Sequence, residues 1–262
     1  MPNAALHVAR TGLEAQDARM RVIANNLANV GTTGFKRDRA DFATLAYQER
    51  RVAGQQSTGD TAYAVGLNLG TGVQVLGTSR IEAQGTLNTT GNSLDVALDG
   101  PGFFEVELPS GQSGYTRAGV FTLSADGEIV TGQGYTVQPG LQIPDGASSI
   151  FVGPDGTVSA SLSEDATPVQ IGQLNIVSFV NAAGLQPRGD NFLVETAASG
   201  APENGAGGEG GRGQVRQGML EASNVNVVEE LVEMIEAQRA YEINSKMVSA
   251  VDEMLRNANQ TL

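Results

Sequence analysis

The sequence predicts an α+β protein in which long N- and C-terminal helices pair as a coiled coil and flank a central antiparallel β-rich domain. Glycine is abundant, with 34 residues, but residues 1–30 contain only Gly12 and residues 219–262 contain none. Both ends repeat apolar residues at heptad spacing, whereas the middle consists of short apolar stretches separated by turn sequences. These three observations together indicate the fold class.

The N-terminal helix is predicted from apolar residues that recur every seven positions. They are Leu6, Leu13, Met20 and Leu27, with Ile23 between the last two. Gly31 is suited to end the helix, which would run for about 27 residues.

The C-terminal helix is predicted from a second repeat with the same period. Val227, Met234, Tyr241, Val248 and Leu255 recur every seven residues. Leu231 lies between the first two, and the polar Gln238 interrupts the repeat. Asn226 followed by Glu229 fits a capping box, so a helix of about 30 residues is expected to begin here.

The two helices are expected to pair with each other, because neither can bury its apolar stripe alone. Charge favours the pairing: residues 1–40 contain six Lys and Arg against three Asp and Glu, whereas residues 222–262 contain three against seven. Equal heptad periods predict one antiparallel coiled coil. The same stripes could also pack against other copies of the chain.

The middle of the chain is predicted to be an antiparallel β domain. Turn sequences at 109–111, 125–127 and 154–156 fit hairpin loops, in which glycine supplies a positive φ. Residues 46–72 and 199–213 lack strand patterning and are predicted to be a linker and a mobile surface loop. Strand-like stretches are Val73–Leu76, Leu94–Leu98, Phe103–Leu108, Gly119–Leu123, Tyr135–Gln138, Ile150–Val152, Leu174–Val180 and Asn191–Val194.

The composition argues against catalysis and against several ligands. There is no cysteine, His7 is the only histidine, and the net charge of −13 disfavours nucleic acid. Asp95 and Asp99 are interpreted as the solvent face of a strand, and the Asp-Gly pairs as turns. We therefore expect no catalytic residue, no metal and no cofactor.

The sequence also predicts no membrane insertion. No stretch approaches the roughly 20 apolar residues that span a bilayer. Residues 1–10 lack the basic and apolar regions of a cleavable signal peptide.

Several strings near the two ends of the chain form distinct motifs. The N-terminal strings are GLEA at 12–15, ANNLANV at 24–30 and TGFK at 33–36, and the C-terminal strings are LEASNVN at 220–226 and MIEAQRAYEIN at 234–244. These strings resemble the signatures of flagellar rod and hook proteins. GPGFF at 100–104 and YTRAG at 115–119 resemble the family's β domain. The resemblance extends over nearly the whole chain.

The resemblance implies a structural subunit that assembles helically into a rigid hollow drive shaft. Residues 1–35 and 222–262 would form the inner tube, residues 36–72 an extended linker arm, and residues 73–221 an outer β domain with a flexible loop at 199–213. The implied partners are further copies of the chain, proximal rod proteins, the hook protein, the L/P ring bushing and the flagellar type III export apparatus. The implied location is the basal body across the periplasm, reached without signal cleavage.

The residues expected at subunit interfaces belong to the two helices. Asn25, Asn26 and Asn29 would form amide hydrogen bonds between subunits. The full set is Leu6, Leu13, Met20, Ile23, Asn25, Asn26, Leu27, Asn29, Val227, Leu231, Met234, Gln238, Arg239, Tyr241, Val248 and Leu255.

Two alternatives stay open. Within the family, the chain length and the segment 47–72 distinguish this sequence from the longer hook protein, but a proximal rod paralogue has a similar size. Outside the family, a secreted β-rich binding module with a coiled-coil stalk would also explain the acidity, the turns and the helical ends.

Overall fold

The structure is a computed structural model that describes residues 2–58, 61–162 and 167–260. Met1 and residues 59–60, 163–166 and 261–262, which the predicted segments include, lie outside the described residues. Helix α1 spans Pro2–Ala28 and helix α2 spans Val227–Gln260. They flank a β-rich central region, so the α+β class is confirmed. The observed lengths of 27 and 34 residues agree with the lengths predicted from the heptad repeats.

The central region contains short strands and a 3₁₀ helix at Ala182–Gly184. The strands are β1 Asp38–Thr44, β2 Tyr47–Arg51, β3 Gln56–Thr58, β4 Thr61–Ala62, β5 Leu67–Gly70, β6 Val73–Arg80, β7 Leu87–Thr89, β8 Val96–Asp99, β9 Phe103–Glu107, β10 Ser113–Thr116, β11 Phe121–Leu123, β12 Ile129–Thr131, β13 Ser149–Val152, β14 Thr157–Ser161, β15 Val169–Gln173, β16 Ile176–Ser178, β17 Gln186–Gly189, β18 Phe192–Val194, β19 Glu203–Gly205, β20 Gln214–Gln217 and β21 Met219–Glu221.

The chain forms two compact units. The helix unit comprises Met1–Leu27, Asp38–Ser79 and Asn226–Leu262, and the β unit comprises Ala28–Arg37 and Arg80–Val225. The chain therefore passes from one unit to the other after residues 27, 37, 79 and 225.

The helix unit contains a long hairpin where the sequence predicts a linker. Strand β1 pairs with β6, β2 pairs antiparallel with β5, and β3 pairs antiparallel with β4 at the far end. The backbone N–H of Leu45 donates to the carbonyl of Gly72 at 2.9 Å, which closes the base of the hairpin. Strands β2 and β5 bury almost no residue. A strand without a buried face has no alternating hydrophobicity, so the sequence pattern did not reveal these two.

The β unit is antiparallel throughout its paired strands. A six-stranded sheet has the order β17-β18-β10-β9-β16-β19, and β13-β14-β15 form a three-stranded sheet. The main core packs aromatic and branched side chains from both sheets, including Phe104, Val106, Val158 and Ile176. The three predicted turns join β9 to β10, β11 to β12 and β13 to β14, with Gly111, Gly127 and Gly156 at positive φ.

Two details of the β-domain prediction are wrong. Residues 135–138 form only isolated bridges, in which Thr136 pairs with Val130 and Val137 with Val106. Asp95 is buried rather than on the solvent face, and its carboxylate accepts a hydrogen bond from Nδ2 of Asn92 at 3.1 Å. A buried carboxylate with a close donor satisfies its hydrogen-bonding need without solvent.

Candidate assembly site

The two terminal helices contact each other in an antiparallel arrangement. Asn26 lies against Glu230, Arg19 against Glu233, and Gly12 against Asn244, so partner numbers rise as α1 numbers fall. A Cβ atom at Gly12 would lie only 3.0 Å from Nδ2 of Asn244. Absence of a side chain at Gly12 therefore permits close approach of the two helices.

Opposite charges of the two helices meet in an ion pair. Nη2 of Arg19 lies 3.3 Å from Oε2 of Glu233 and 3.9 Å from Oε2 of Glu236. All three side chains are partly exposed, so solvent screens the attraction. This contact contributes more to the choice of partner and register than to stability.

Asn26 and Glu230 are buried polar residues of the helix contact, with 2% and 1% exposure, and their side chains face each other. Nδ2 of Asn26 donates to the carbonyl of Asp38 at 2.8 Å and to Oε2 of Glu230 at 3.1 Å. Its Oδ1 accepts from the backbone N–H of Asp38 at 2.9 Å. One side chain thus connects α1, the start of β1 and α2.

The residues predicted to lie at subunit interfaces differ in how exposed they are on the single chain. Ile23 and Asn26 are buried. The half-buried residues are Leu6, Leu13, Met20, Leu27, Asn29, Met234, Val248 and Leu255. The exposed residues are Asn25, Val227, Leu231, Gln238, Arg239 and Tyr241. Much of the predicted apolar repeat is therefore accessible to solvent on the single chain.

The sequence reasoning missed a second apolar stripe on α2. Val228, Val232 and Ile235 are 70%, 52% and 49% exposed. At 100° per residue they lie roughly opposite Glu230, which contacts α1. Their i, i+4, i+7 spacing is visible in the sequence, but the heptad repeat assigned to the other face concealed it.

The β unit contains a buried cluster of charges where its two ends meet, here called the charged clasp: Lys36, Arg117 and Glu221. Their side chains are 3%, 5% and 0% exposed. Oε1 of Glu221 accepts from Nζ of Lys36 at 2.6 Å, and Oε2 accepts from Nε of Arg117 at 2.9 Å. Such short contacts to ionised groups are strong hydrogen bonds.

Each residue of the charged clasp lies in one of the strings that resemble flagellar signatures. Lys36 ends TGFK, Arg117 is central in YTRAG, and Glu221 follows Leu220 in LEASNVN. In the sequence, each of these charged residues stands out only because its neighbours in the string are mostly small or apolar. The three residues lie far apart along the chain, so the sequence did not predict that their side chains contact each other.

Burial changes the pKa values beside the charged clasp. Burial lowers the pKa of Lys36, against the effect of its hydrogen bond to Glu221. Burial raises the pKa of Glu82, although Arg80, Lys36 and Arg117 favour its charged form. Oε1 of Glu82 is buried and accepts no hydrogen bond, which explains why the charge is unfavourable there.

We expect Glu82→Gln to raise the Tm by a few degrees at pH 7 and to leave it unchanged at pH 4. A carboxyl group with a raised folded-state pKa contributes stability below its unfolded pKa and loses it as pH rises through the folded value. Calorimetry at both pH values tests this, with the exposed Glu203→Gln as the control. An equal effect at both pH values would exclude the titration of Glu82 as the cause.

The described residues offer no arrangement suited to metal chemistry. In residues 2–58, 61–162 and 167–260, no group of three or more His, Asp and Glu side chains is placed to hold an ion. His7 is exposed, and its Nδ1 lies 3.1 Å from the carbonyl of Thr71. Within the same ranges, no helix combines the length and hydropathy that a membrane span requires.

Paired terminal helices that expose apolar side chains are typical of a structural subunit that packs against other proteins. Three family models match the chain. They are the flagella basal body rod protein at residues 6–36, the flagellar hook protein FlgE/F/G D1 domain at 97–160, and the flagellar basal body rod FlgEFG protein C-terminal region at 216–261.

Whole-chain relatives identify the family. The flagellar basal-body rod protein FlgG of Buchnera aphidicola subsp. Schizaphis graminum is 49% identical over 97% of this chain and 98% of its own. In Caulobacter vibrioides, FlgG is 45% identical over 98% of both chains, whereas FlgF is 34% identical over 92% of this chain and 90% of its own. The chain belongs to the family of flagellar basal-body rod proteins.

Proposed function

We propose that the chain is the distal rod subunit of a bacterial flagellar basal body. Copies assemble helically into a rigid hollow shaft that transmits torque from the motor to the hook. The observation that supports this most directly is the 45% identity to FlgG against 34% to FlgF in one organism. The proximal rod paralogue is therefore the less favoured alternative.

Assembly requires each subunit to present apolar surface to its neighbours, and α2 supplies such a surface. Val228, Val232 and Ile235 form an exposed stripe on the side of the helix away from α1. Exposed apolar patches of this kind are typical of protein interfaces. A helical assembly also needs two different complementary faces on each subunit, and the half-buried leucines of α1 offer the second.

We propose that α1 and α2 pair as an antiparallel coiled coil in the assembled rod. The heptad spacing of both helices supports this, as do the contacts at Gly12, Arg19 and Asn26. Polar side chains within such a contact fix register. In the rod, the helix pairs would form the inner tube and residues 73–221 the outer layer.

We propose that the arm, residues 36–72, lies on a neighbouring subunit and restricts sliding between copies. Its hairpin exposes Tyr47, Val65, Leu67 and Leu69. A two-stranded ribbon is at best marginally stable by itself, so a covering neighbour would both stabilise the hairpin and bury these side chains. The loop at 199–213, which contains β19, remains a predicted mobile segment.

The partners proposed for the rod are proximal rod proteins, the hook protein and the L/P ring bushing. The proposed route is the flagellar type III export apparatus without a cleaved signal, and the proposed location is the basal body across the periplasm. No enzymatic role is proposed. The acidic composition and the lack of cysteine support a structural rather than a nucleic-acid-binding or thiol-dependent role.

We expect the purified chain at high concentration to form tubes or fibres in negative-stain electron microscopy, and Ile235→Glu to abolish them. Glu at an exposed position changes monomer stability little but leaves a carboxylate at an apolar interface. Val169→Glu, at an exposed strand position of the β unit, is the matched control. Loss of assembly in both variants would show a charge effect unrelated to the helix stripe.

If the wild-type chain stays monodisperse, assembly on an existing rod becomes the decisive assay. Expression in a bacterium lacking its distal rod gene should restore swimming with the wild type and with Val169→Glu, but not with Ile235→Glu. Failure of the wild-type chain in both assays would contradict the distal rod proposal. It would then favour a binding module with a helical stalk.

A further inference from the structure

The β unit begins and ends at the same place. The backbone N–H of Gly34 donates to the carbonyl of Glu221 at 2.8 Å, and that of Asn224 donates to the carbonyl of Phe35 at 3.4 Å. The N–H of Arg37 donates to Oδ1 of Asn224 at 2.7 Å. The segments 34–37 and 221–224 therefore lie side by side within this unit.

The charged clasp ties these two end segments to the interior of the β unit. Glu221 begins the segment 221–224, and Lys36 and Arg117 bind its two carboxylate oxygens. Nη1 of Arg117 also donates to the carbonyls of Gly100 and Gly102, at 2.7 Å each. The N–H of Gly85 donates to Oε1 of Glu221 at 2.9 Å.

Close backbone packing excludes water from this place. Gly34 has a φ of +69°, and a Cβ atom there would lie 2.7 Å from the backbone N of Ala118. A Cβ atom at Gly85 would collide with the carbonyl oxygen of Ala222. Water therefore cannot replace the bonds of the charged clasp one at a time without movement of the backbone.

We infer that the charged clasp is a mechanical lock, which keeps the β unit closed when its two ends are pulled apart. A load on the two terminal helices first reaches residues 34–37 and 221–224, which include only the last residue of β21, before it reaches the other strands of the β unit. Separating these segments leaves Lys36, Arg117 or Glu221 as an unpaired buried charge, which is strongly unfavourable. Several charge-assisted hydrogen bonds must therefore break together.

Under the proposed function this lock would carry torque, but its strength is a property of the single chain. It can be measured without assembly, so failure of the lock and failure of the distal rod proposal are distinguishable. The full chain is suited to the measurement because it contains no cysteine. Ala4→Cys and Asp252→Cys, both at exposed helix positions, introduce handles for optical tweezers.

Pulling on these handles should produce two events. The antiparallel helices separate first at low force, and the β unit opens in a second event at higher force. We expect Lys36→Met to raise the rate of the second event at a fixed force by about 10- to 100-fold. The first event should not change.

Lys36→Met is chosen because the other groups keep partners. Glu221 retains Arg117 and the N–H of Gly85, and the carbonyl of Ala83 retains Nδ2 of Asn224. The matched control is Arg216→Met, which removes the exposed ion pair of Arg216 with Asp99 in the same unit. This control should leave the second event unchanged.

A second pulling geometry separates a mechanical role from a general contribution to stability. Handles at Ser110→Cys and Asp145→Cys, in exposed loops of the β unit, load the unit away from the charged clasp. The inference predicts a much smaller effect of Lys36→Met in this geometry. Equal acceleration in both geometries, or no acceleration from the terminal handles, would overturn it.

Discussion

Replacing Asn26 by aspartate is expected to abolish rod assembly by separating the two terminal helices. The Asn26 side chain donates to Glu230 and to the carbonyl of Asp38 in a site from which water is excluded. An aspartate carboxylate cannot donate, and it would lie beside the carboxylate of Glu230. Breaking a buried charge-assisted contact in this way costs about 3–5 kcal/mol, a large part of the stability of a typical domain.

The adjacent Asn25 provides a matched control, because Asn25→Asp makes the same chemical change at an exposed position of the same helix. The fraction of protein pelleted by ultracentrifugation measures assembly, and far-UV circular dichroism measures helix content. We expect Asn26→Asp to lose both assembly and helix content, and Asn25→Asp to keep its helix content. Normal assembly of Asn26→Asp would refute the role assigned to this hydrogen bond.

The asparagines of α1 illustrate what the sequence could not predict. The sequence predicts that Asn25, Asn26 and Asn29 all form amide hydrogen bonds between subunits, since all three have the same donors and acceptors. On a helix, however, consecutive residues point about 100° apart, and the side chain of Asn26 is turned toward Glu230. The structure uses its amide within the chain, whereas the intersubunit role of the set stays a prediction.

The terminal helices and hairpin turns were predictable because their signals are local. A heptad repeat, a capping residue and the lack of glycine all act within a few turns of one helix. Turns such as 125–127 need only a glycine at positive φ, which the composition of the turn reveals.

The charged clasp and the order of the strands depend on distant contacts. Lys36 and Glu221 are 185 positions apart, and no local pattern indicates that their side chains meet. The β2–β5 ribbon was missed for a different reason, because it has no buried face from which a period of two could arise. Burial, which decides the role of each charged residue, is a property of the folded chain.

Replacing the arm hairpin by a short turn is expected to make the assembled shaft several-fold more flexible. The change removes residues 47–70 and joins β1 to β6 through Asn-Gly, which suits a two-residue hairpin. The two strands already pair with each other, and the bond from Leu45 to Gly72 shows that their ends are close. The variant should therefore fold and assemble, and only the contacts between subunits would be lost.

The stiffness effect should arise from the apolar side chains of the hairpin rather than from its bulk. Tyr47, Leu67 and Leu69 are exposed on the single chain, and each would bury apolar area on a neighbour. Their joint replacement by serine should reproduce most of the loss, whereas serine at Gln48 and Asn68 on the same strands should not. Persistence lengths from cryo-electron micrographs of the tubes measure the difference. Tubes of unchanged stiffness after removal of the hairpin would mean that the helix pairs alone resist bending, and that the exposed ribbon has another partner.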